Sequence, residues 1–195
     1  EPKSYSFDLD SIKSGNKLVA LVDNSTTSYF IYKGQPMGFE YELLERFSRE
    51  LGVELEVKVV YNLDSMMYYL NQGVGDVVAA NITSTINRKK HVAFTDPIHK
   101  THQVLIQRNI RDSLLTGLEQ LSNKSIHVWS GSSFLERLEN LSGELGEPIN
   151  IVPVSSNDTA VAFNMTLQLI EAVSEGKIKY TVADENVAKV QKKMH

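Results

Sequence analysis

Two charged residues, each at the exit of an apolar run, are the groups in this 195-residue chain best placed to hold a small ion. Arg88 closes the polar stretch Asn81-Ile82-Thr83-Ser84-Thr85-Ile86-Asn87, which leaves the apolar run Val77 to Ala80 and leads into an expected helix. Hydroxyls such as those of Thr83 and Thr85, with free backbone N–H groups, favour an anion at such a junction. A guanidinium there can clamp a carboxylate through two parallel hydrogen bonds. An arginine in the first turn of a helix also serves as a solvated surface residue, and spacing alone does not choose between these readings. Asp184 follows Val182-Ala183 at the matching exit of the second half. It can accept hydrogen bonds from an ammonium, or it can cap the helix expected from Glu185 onward. One cation and one anion facing each other across a closing gap are what a zwitterion needs.

The remaining candidates are weaker. Trp129-Ser130-Gly131-Ser132-Ser133 opens an expected helix with small residues, which let a ligand approach the N-terminal amides; a simple N-cap explains the serines equally well. With Val at position 128 this is not a nucleophile elbow, and no base is positioned by sequence to activate a serine. Tyr29, Phe30, Tyr32 and Phe39 cluster around Gly34 and Gly38, where aromatic rings either stack on a ligand or pack the loop. The five histidines lack metal-ligand spacing. Glu40 and Glu42 read as solvated or capping groups on a helix, and no carboxylate pair is set by sequence at a glycosidase separation. The stretch reads as non-catalytic and without a cofactor, although a hydrolase using Ser132 or two glutamates is the competing class.

The elements that must position these groups come in two similar sets. Leu44-Glu45-Arg46-Phe47, Glu50-Leu51-Gly52 and Gly73-x-x-Asp76-Val77-Val78-Ala79-Ala80-Asn81 are answered by Leu135-Glu136-Arg137-Leu138, Glu144-Leu145-Gly146 and Gly176-x-x-Lys179-Tyr180-Thr181-Val182-Ala183-Asp184. Apolar residues at helical spacing from Phe39 to Leu51 predict a helix closed by Gly52, and the alternation of Val53, Leu55, Val57 and Val59 with charged residues predicts a half-covered strand. Asp76 to Ala80 reads as a strand covered on both faces. Further strands are predicted at Lys17–Val22, Ser125–Trp129, Ile149–Val154 and Lys179–Ala183, and helices at Leu63–Leu70, Ser132–Leu141 and Asp158–Val173. Val104-Leu105-Ile106 predicts a strand crossing between the halves. Strands alternating with helices imply an α/β protein of two lobes, each a mainly parallel sheet flanked by helices, with a ligand cleft between them at the carboxyl ends of the strands. The expected divisions are a linker over 1–16, lobe one over 17–104 and lobe two over 105–195.

Composition supports an ordinary globular chain: 42% of residues are hydrophobic and 23% charged, with a net charge of −4. Scattered basic residues argue against a nucleic-acid partner. Absence of cysteine removes disulfides and thiolate chemistry. No apolar run reaches membrane-span length, so any membrane attachment is expected through an anchor elsewhere in a parent protein.

Taken in order, Gly38-Phe39-Glu40-Tyr41-Glu42-Leu43, Thr83 to Arg88 followed by Phe94-Thr95-Asp96-Pro97, Gly131-Ser132-Ser133 and Tyr180 to Asp184 resemble the extracellular solute-binding proteins of family 3. The resemblance runs from about Leu18 to the C-terminus. It implies a periplasmic-binding-protein-like (type 2) fold that closes on its ligand by hinge motion. It also implies that Arg88 grips the α-carboxylate with help from Thr83 and Ser132, that Asp184 holds the α-ammonium, and that Asp23 or Asn24 adds a contact from the first loop. The aromatic residue that often covers the ligand is replaced by Thr27. The segment Ser25 to Leu43 is similar to one branch, the solute-binding modules preceding the catalytic domain of the F-type membrane-bound lytic murein transglycosylases of the Bacteroidetes. That branch implies a periplasmic module, membrane-anchored through its parent, binding an amino acid or a peptidoglycan-derived peptide and regulating a lytic domain. The alternative partner is the permease of an ABC transporter. The family also completes lobe one with a further strand and helix after lobe two, so a chain ending at His195 is expected to be a fragment.

Overall fold

The computed structural model describes residues 9–25, 28–111, 113–155 and 165–192. Two compact units divide the chain, Glu1–Thr95 and Asp96–His195.

In the first unit, β1 (Lys17–Val22) lies between β4 (Glu54–Val59) and β5 (Val77–Ala79), parallel to both. Alternation in β4 puts Leu55, Val57 and Val59 against the core of Leu18, Ala20, Val22 and Leu44. Its opposite face carries Glu56 and Lys58, where the Lys17 ammonium meets Glu56 at 2.7 Å. Exposed pairs of this kind contribute little, about 0–1 kcal/mol. The larger stabilisation comes from the apolar face, at roughly 1.5–3 kcal/mol for each fully buried large aliphatic side chain. Helix α2 (Phe39–Leu51) ends at Gly52, whose φ of 70° is the left-handed geometry that turns the chain back into β4. Helix α3 (Leu63–Asn71) starts at Asn62, whose side-chain oxygen accepts from the Ser65 amide at 2.9 Å. A short hairpin, β2 (Phe30–Tyr32) and β3 (Gln35–Met37), precedes α2. One helical turn, α4 (Ile86–Lys89), follows β5.

The second unit repeats the plan. Strand β7 (Ser125–Trp129) lies between β8 (Asn150–Val154) and β9 (Tyr180–Asp184), again parallel to both, and β6 (Gln103–Gln107) adds an antiparallel edge on β9. Helix α5 (Ser133–Leu145) has the same 13-residue length as α2 and also ends on a left-handed glycine, Gly146 with φ 67°. It buries Phe134, Leu138 and Leu141 against Ile126, Val128, Ile149 and Val182. Helices α6 (Met165–Ser174) and α7 (Glu185–Lys192) complete the described elements. The repeated punctuation in the sequence thus corresponds to one strand order, second–first–third, used twice.

Several expectations differ from the structure. Part of the anticipated linker is helical: α1 (Leu9–Ser14) packs Ile12 against the first core. The units meet at residues 95 and 96 rather than 104 and 105, because β6 pairs along its whole length with β9. Strand β5 is shorter than Asp76–Ala80 and only half-buried, since among the described residues it has one neighbour, β1. Asp76 instead ties the strand start to β1, its carboxylate accepting from the Val19 amide at 2.7 Å. Of the apolar run in α2, Leu44 is buried whereas Phe39 and Phe47 are 56% and 43% exposed. Of the helix predicted over 158–173, the part before Met165 lies outside the described residues, as does Thr27.

Candidate functional site

Parallel register decides where the candidate residues fall. In the first unit Val22 is opposite Ala79, so the exit of β1 at Asp23 and the exit of β5 toward Asn81 lie at the same, carboxyl end of the sheet. In the second unit Ile126 and His127 are opposite Tyr180 and Thr181, which puts Ser130 and Asp184 at the carboxyl end of that sheet. Ligands of open α/β sheets bind outside these ends.

Beyond β5 the chain builds a small cationic corner. Thr85 stands at the N-cap of α4, its hydroxyl accepting from the Arg88 amide at 3.3 Å. The Arg88 guanidinium donates to the Thr83 carbonyl at 2.9 Å, which holds the side chain back toward the strand exit. Thr83, Thr85 and Arg88 are therefore brought together, and the arginine is half-buried. Asn81 is exposed beside them.

The corresponding corner of the second unit is anionic. Asp184 is the last residue of β9 itself and is 9% exposed. Burial pushes its carboxyl above the usual carboxylate range, tempered by the charge of His99. Among the described residues no helix amide donates to this carboxyl, and the first amide of α7, at Glu185, goes to the His102 carbonyl at 2.8 Å. Ser132 occupies the N-cap position of α5, but its hydroxyl donates to the Trp129 carbonyl at 2.6 Å and makes no cap bond. The first-turn amides of α5 are thus without a side-chain cap. Ser130 is exposed, its amide on the Val154 carbonyl. Trp129 is half-buried with its ring laid over Gly131, where an added Cβ would come within 2.8 Å.

Around the first loop, Asp23 is buried while Asn24 is exposed and Phe30 is half-buried in β2. Tyr29 stands edge-on to Tyr41 at 5.5 Å, and Tyr32 and Phe39 are more than half exposed. Sequence reasoning missed two residues here. Glu40, expected on a solvated face, is partly buried, whereas its neighbour Glu42 is exposed as expected. Burial raises the Glu40 carboxyl; its own amide lowers it, the negative charge of Asp23 raises it again and the Ser28 hydroxyl draws it back slightly. Ser28 is fully buried, with its hydroxyl toward the Glu40 carboxyl. Gly38 brings the two together. With φ 138°, it passes so close to the loop that a Cβ there would fall 2.1 Å from the Ser28 carbonyl oxygen. Glycine directly before the helix was the available signal, but its meaning depends on that contact.

Two α/β units of the same strand order, with polar groups gathered at the carboxyl ends of both sheets, define the type 2 periplasmic-binding fold. The profile of the bacterial extracellular solute-binding proteins, family 3, matches residues 18–192, and the chain belongs to that family. Among solved structures it is similar to the arginine-bound form of truncated ArgBP from T. maritima, with 26% identity and a TM-score of 0.67 over 93% of this chain and 79% of that one. It is also similar to the ancestral amino acid-binding protein AncCDT-1, a precursor of cyclohexadienyl dehydratase, with 25% identity and a TM-score of 0.72 over 95% and 78%. A curated relative from Desulfosudis oleivorans named membrane-bound lytic murein transglycosylase F is 34% identical over 94% of this chain. Others of the same name are 30–35% identical. The chain spans 38% of the length of the Desulfosudis relative. Among the described residues no helix is long and apolar enough to cross a membrane.

Proposed function

We propose that this chain is a non-catalytic receptor module for an amino acid or short peptide, with Arg88 of the first unit taking the ligand carboxylate and Asp184 of the second taking its ammonium. The observation that carries this reading is the opposite charge of the two strand exits in a chain of the solute-binding family. Thr83 and Thr85 hold the arginine in place, and the uncapped amides of α5 beside Ser132 supply further donors to an anion. Solved structures of amino-acid-binding proteins with this fold support the ligand class. Calorimetry against amino acids, murein stem peptides and neutral sugars tests it. Zwitterions should bind and sugars should not; tighter binding of a sugar than of every zwitterion would overturn the reading.

For the parent protein, we infer from the names of the curated relatives that the module sits in the periplasm beside a lytic transglycosylase domain, membrane-anchored through that parent, and regulates it. The competing role, a receptor serving an ABC permease, is favoured by solved binding proteins that this chain covers to 79% of their length. Sequencing the gene beyond His195 discriminates them: continuation into a lytic domain supports the first, and neighbouring permease genes the second.

A further inference from the structure

The stretch that enters the second unit, residues 96–102, has no regular secondary structure and is laced to the corner where Asp184 stands. Antiparallel register puts Gln103, the first residue of β6, opposite Asp184, the last residue of β9. One step further the Glu185 amide donates to the His102 carbonyl at 2.8 Å, and beside it the Thr101 hydroxyl donates to the Asn186 side-chain oxygen at 3.5 Å. Two histidines ride on this stretch, each set against one acid. The charge of His99 acts on Asp184, and that of His102 acts on Glu185. Both histidines are exposed, whereas Asp184 is buried.

The two pairs differ in what else reaches the acid. Glu185 is held by the Lys189 ammonium at 2.8 Å, one turn along α7, so His102 adds little to a carboxylate already paired. At Asp184 burial works against the charged form, and among the described residues His99 is the charged group felt there; β6, β7, α6 and α7, all packed against β9, bring none. Histidine is the side chain whose charge ordinarily changes between about pH 5 and 8. A neutral imidazole leaves the Asp184 carboxylate to an ammonium and offers a ring nitrogen as a further acceptor. A protonated one presents a like charge to that ammonium and competes for the same oxygens. Both effects have the same sign.

We propose that His99 is a positioning residue for the ammonium end of the ligand and that its proton works as a latch. Neutral His99 leaves Asp184 to the ligand and protonated His99 contests it, so the module binds at neutral pH and binds more weakly in mild acid. The proposal rests on the receptor reading above and adds a regulation to the same site. Arginine keeps its charge across this range, so the carboxylate end at Arg88 does not take part, and the pH dependence enters through the second unit alone.

Calorimetry of the chain with L-glutamine, L-arginine and a murein stem peptide, from about pH 8 to about pH 5.5, tests this across the histidine range. Affinity should fall about two- to fivefold toward acid, the size expected when one of the interacting charges is exposed. His99→Gln should flatten this part of the profile, and His99→Lys, with a fixed charge, should show the weaker, acid-side affinity throughout. His102→Gln, at the histidine facing the already paired Glu185, should keep the parent profile. Thermal melts show whether each variant folds, and a merely structural His99 would shift affinity equally at every pH. If His99→Gln loses affinity toward acid as steeply as the parent, the loss belongs to protonation of Asp184 itself; the latch is then overturned and the receptor reading stands. A parent profile that is flat while ligands bind has the same consequence. If none of the three probes binds at any pH, the receptor reading falls and the latch with it.

Discussion

The two units share a strand order but differ in the apolar core packed on it. In the second, fully buried Thr181 donates its hydroxyl to the His127 carbonyl at 2.7 Å, and a core of Leu121, Ile126, Val128, Phe134, Leu138, Leu141, Ile149 and Val182 surrounds the sheet. In the first, the core cluster is Leu18, Ala20, Val22 and Leu44, and Tyr61, Tyr68 and Tyr69 remain exposed. The contrast teaches that one strand order, repeated, can carry apolar cores of different extent.

The sharpest way to break this comparison is to remove the ion-holding group of each unit in turn. Arg88→Ala should weaken zwitterion binding by several kcal/mol, on the order of hundred- to thousandfold, because the ligand carboxylate loses its charged partner. Asp184→Asn should weaken it by a comparable factor through the ammonium. Both ligand-free proteins should melt close to the parent, and calorimetry beside thermal melts checks the pair. An Arg88 variant with full affinity would make that residue part of the surface only.

Glycine substitutions come next in size. Gly38→Ala must push a Cβ into the Ser28 carbonyl from a backbone conformation that side chains rarely adopt, so a loss of a few kcal/mol is expected, with local distortion of the loop before α2. Gly52→Ala and Gly146→Ala lie at equivalent helix ends with φ 70° and 67° and open space around them. Each should cost about 1–2 kcal/mol, and the two should agree. Urea denaturation of the three variants measures this; a mild Gly38 variant would mean that the loop can give way, and unequal losses at 52 and 146 would weaken the structural repeat.

The smallest expected effect is on pH. Glu40 and Asp184 both have carboxyls raised by burial, so the folded protein binds protons more tightly than the unfolded chain just above the ordinary carboxylate range. Stability from these groups is therefore lost as pH rises from about 4 through their folded values, the opposite of an ion-paired carboxylate. Glu40→Gln and Asp184→Asn should each flatten that fall in ligand-free thermal melts. Unchanged pH profiles in both variants would show that neither carboxyl carries a buried charge.

Sequence by itself determined the two-unit plan, because the signals behind it are local: glycine at a left-handed helix end, apolar residues at helical or alternating spacing, and polar residues where a strand stops. Gly52 and Gly146 closing α2 and α5, and the strands at 125–129 and 150–154, were legible for that reason. So were Arg88 and Asp184 as candidates, since each follows an apolar run directly. Tertiary structure alone decided that β6 belongs with β9, that Phe39 and Phe47 face solvent while Leu44 is buried, and that Ser132 turns its hydroxyl to Trp129 instead of capping its helix. It also decided that Glu40 and Glu42, two residues apart on one helix turn, have different fates. Burial is a property of what packs against a residue from elsewhere in the chain, and Gly38, passing close beside Ser28, seats the start of α2 where Glu40 is partly buried while Glu42 stays exposed.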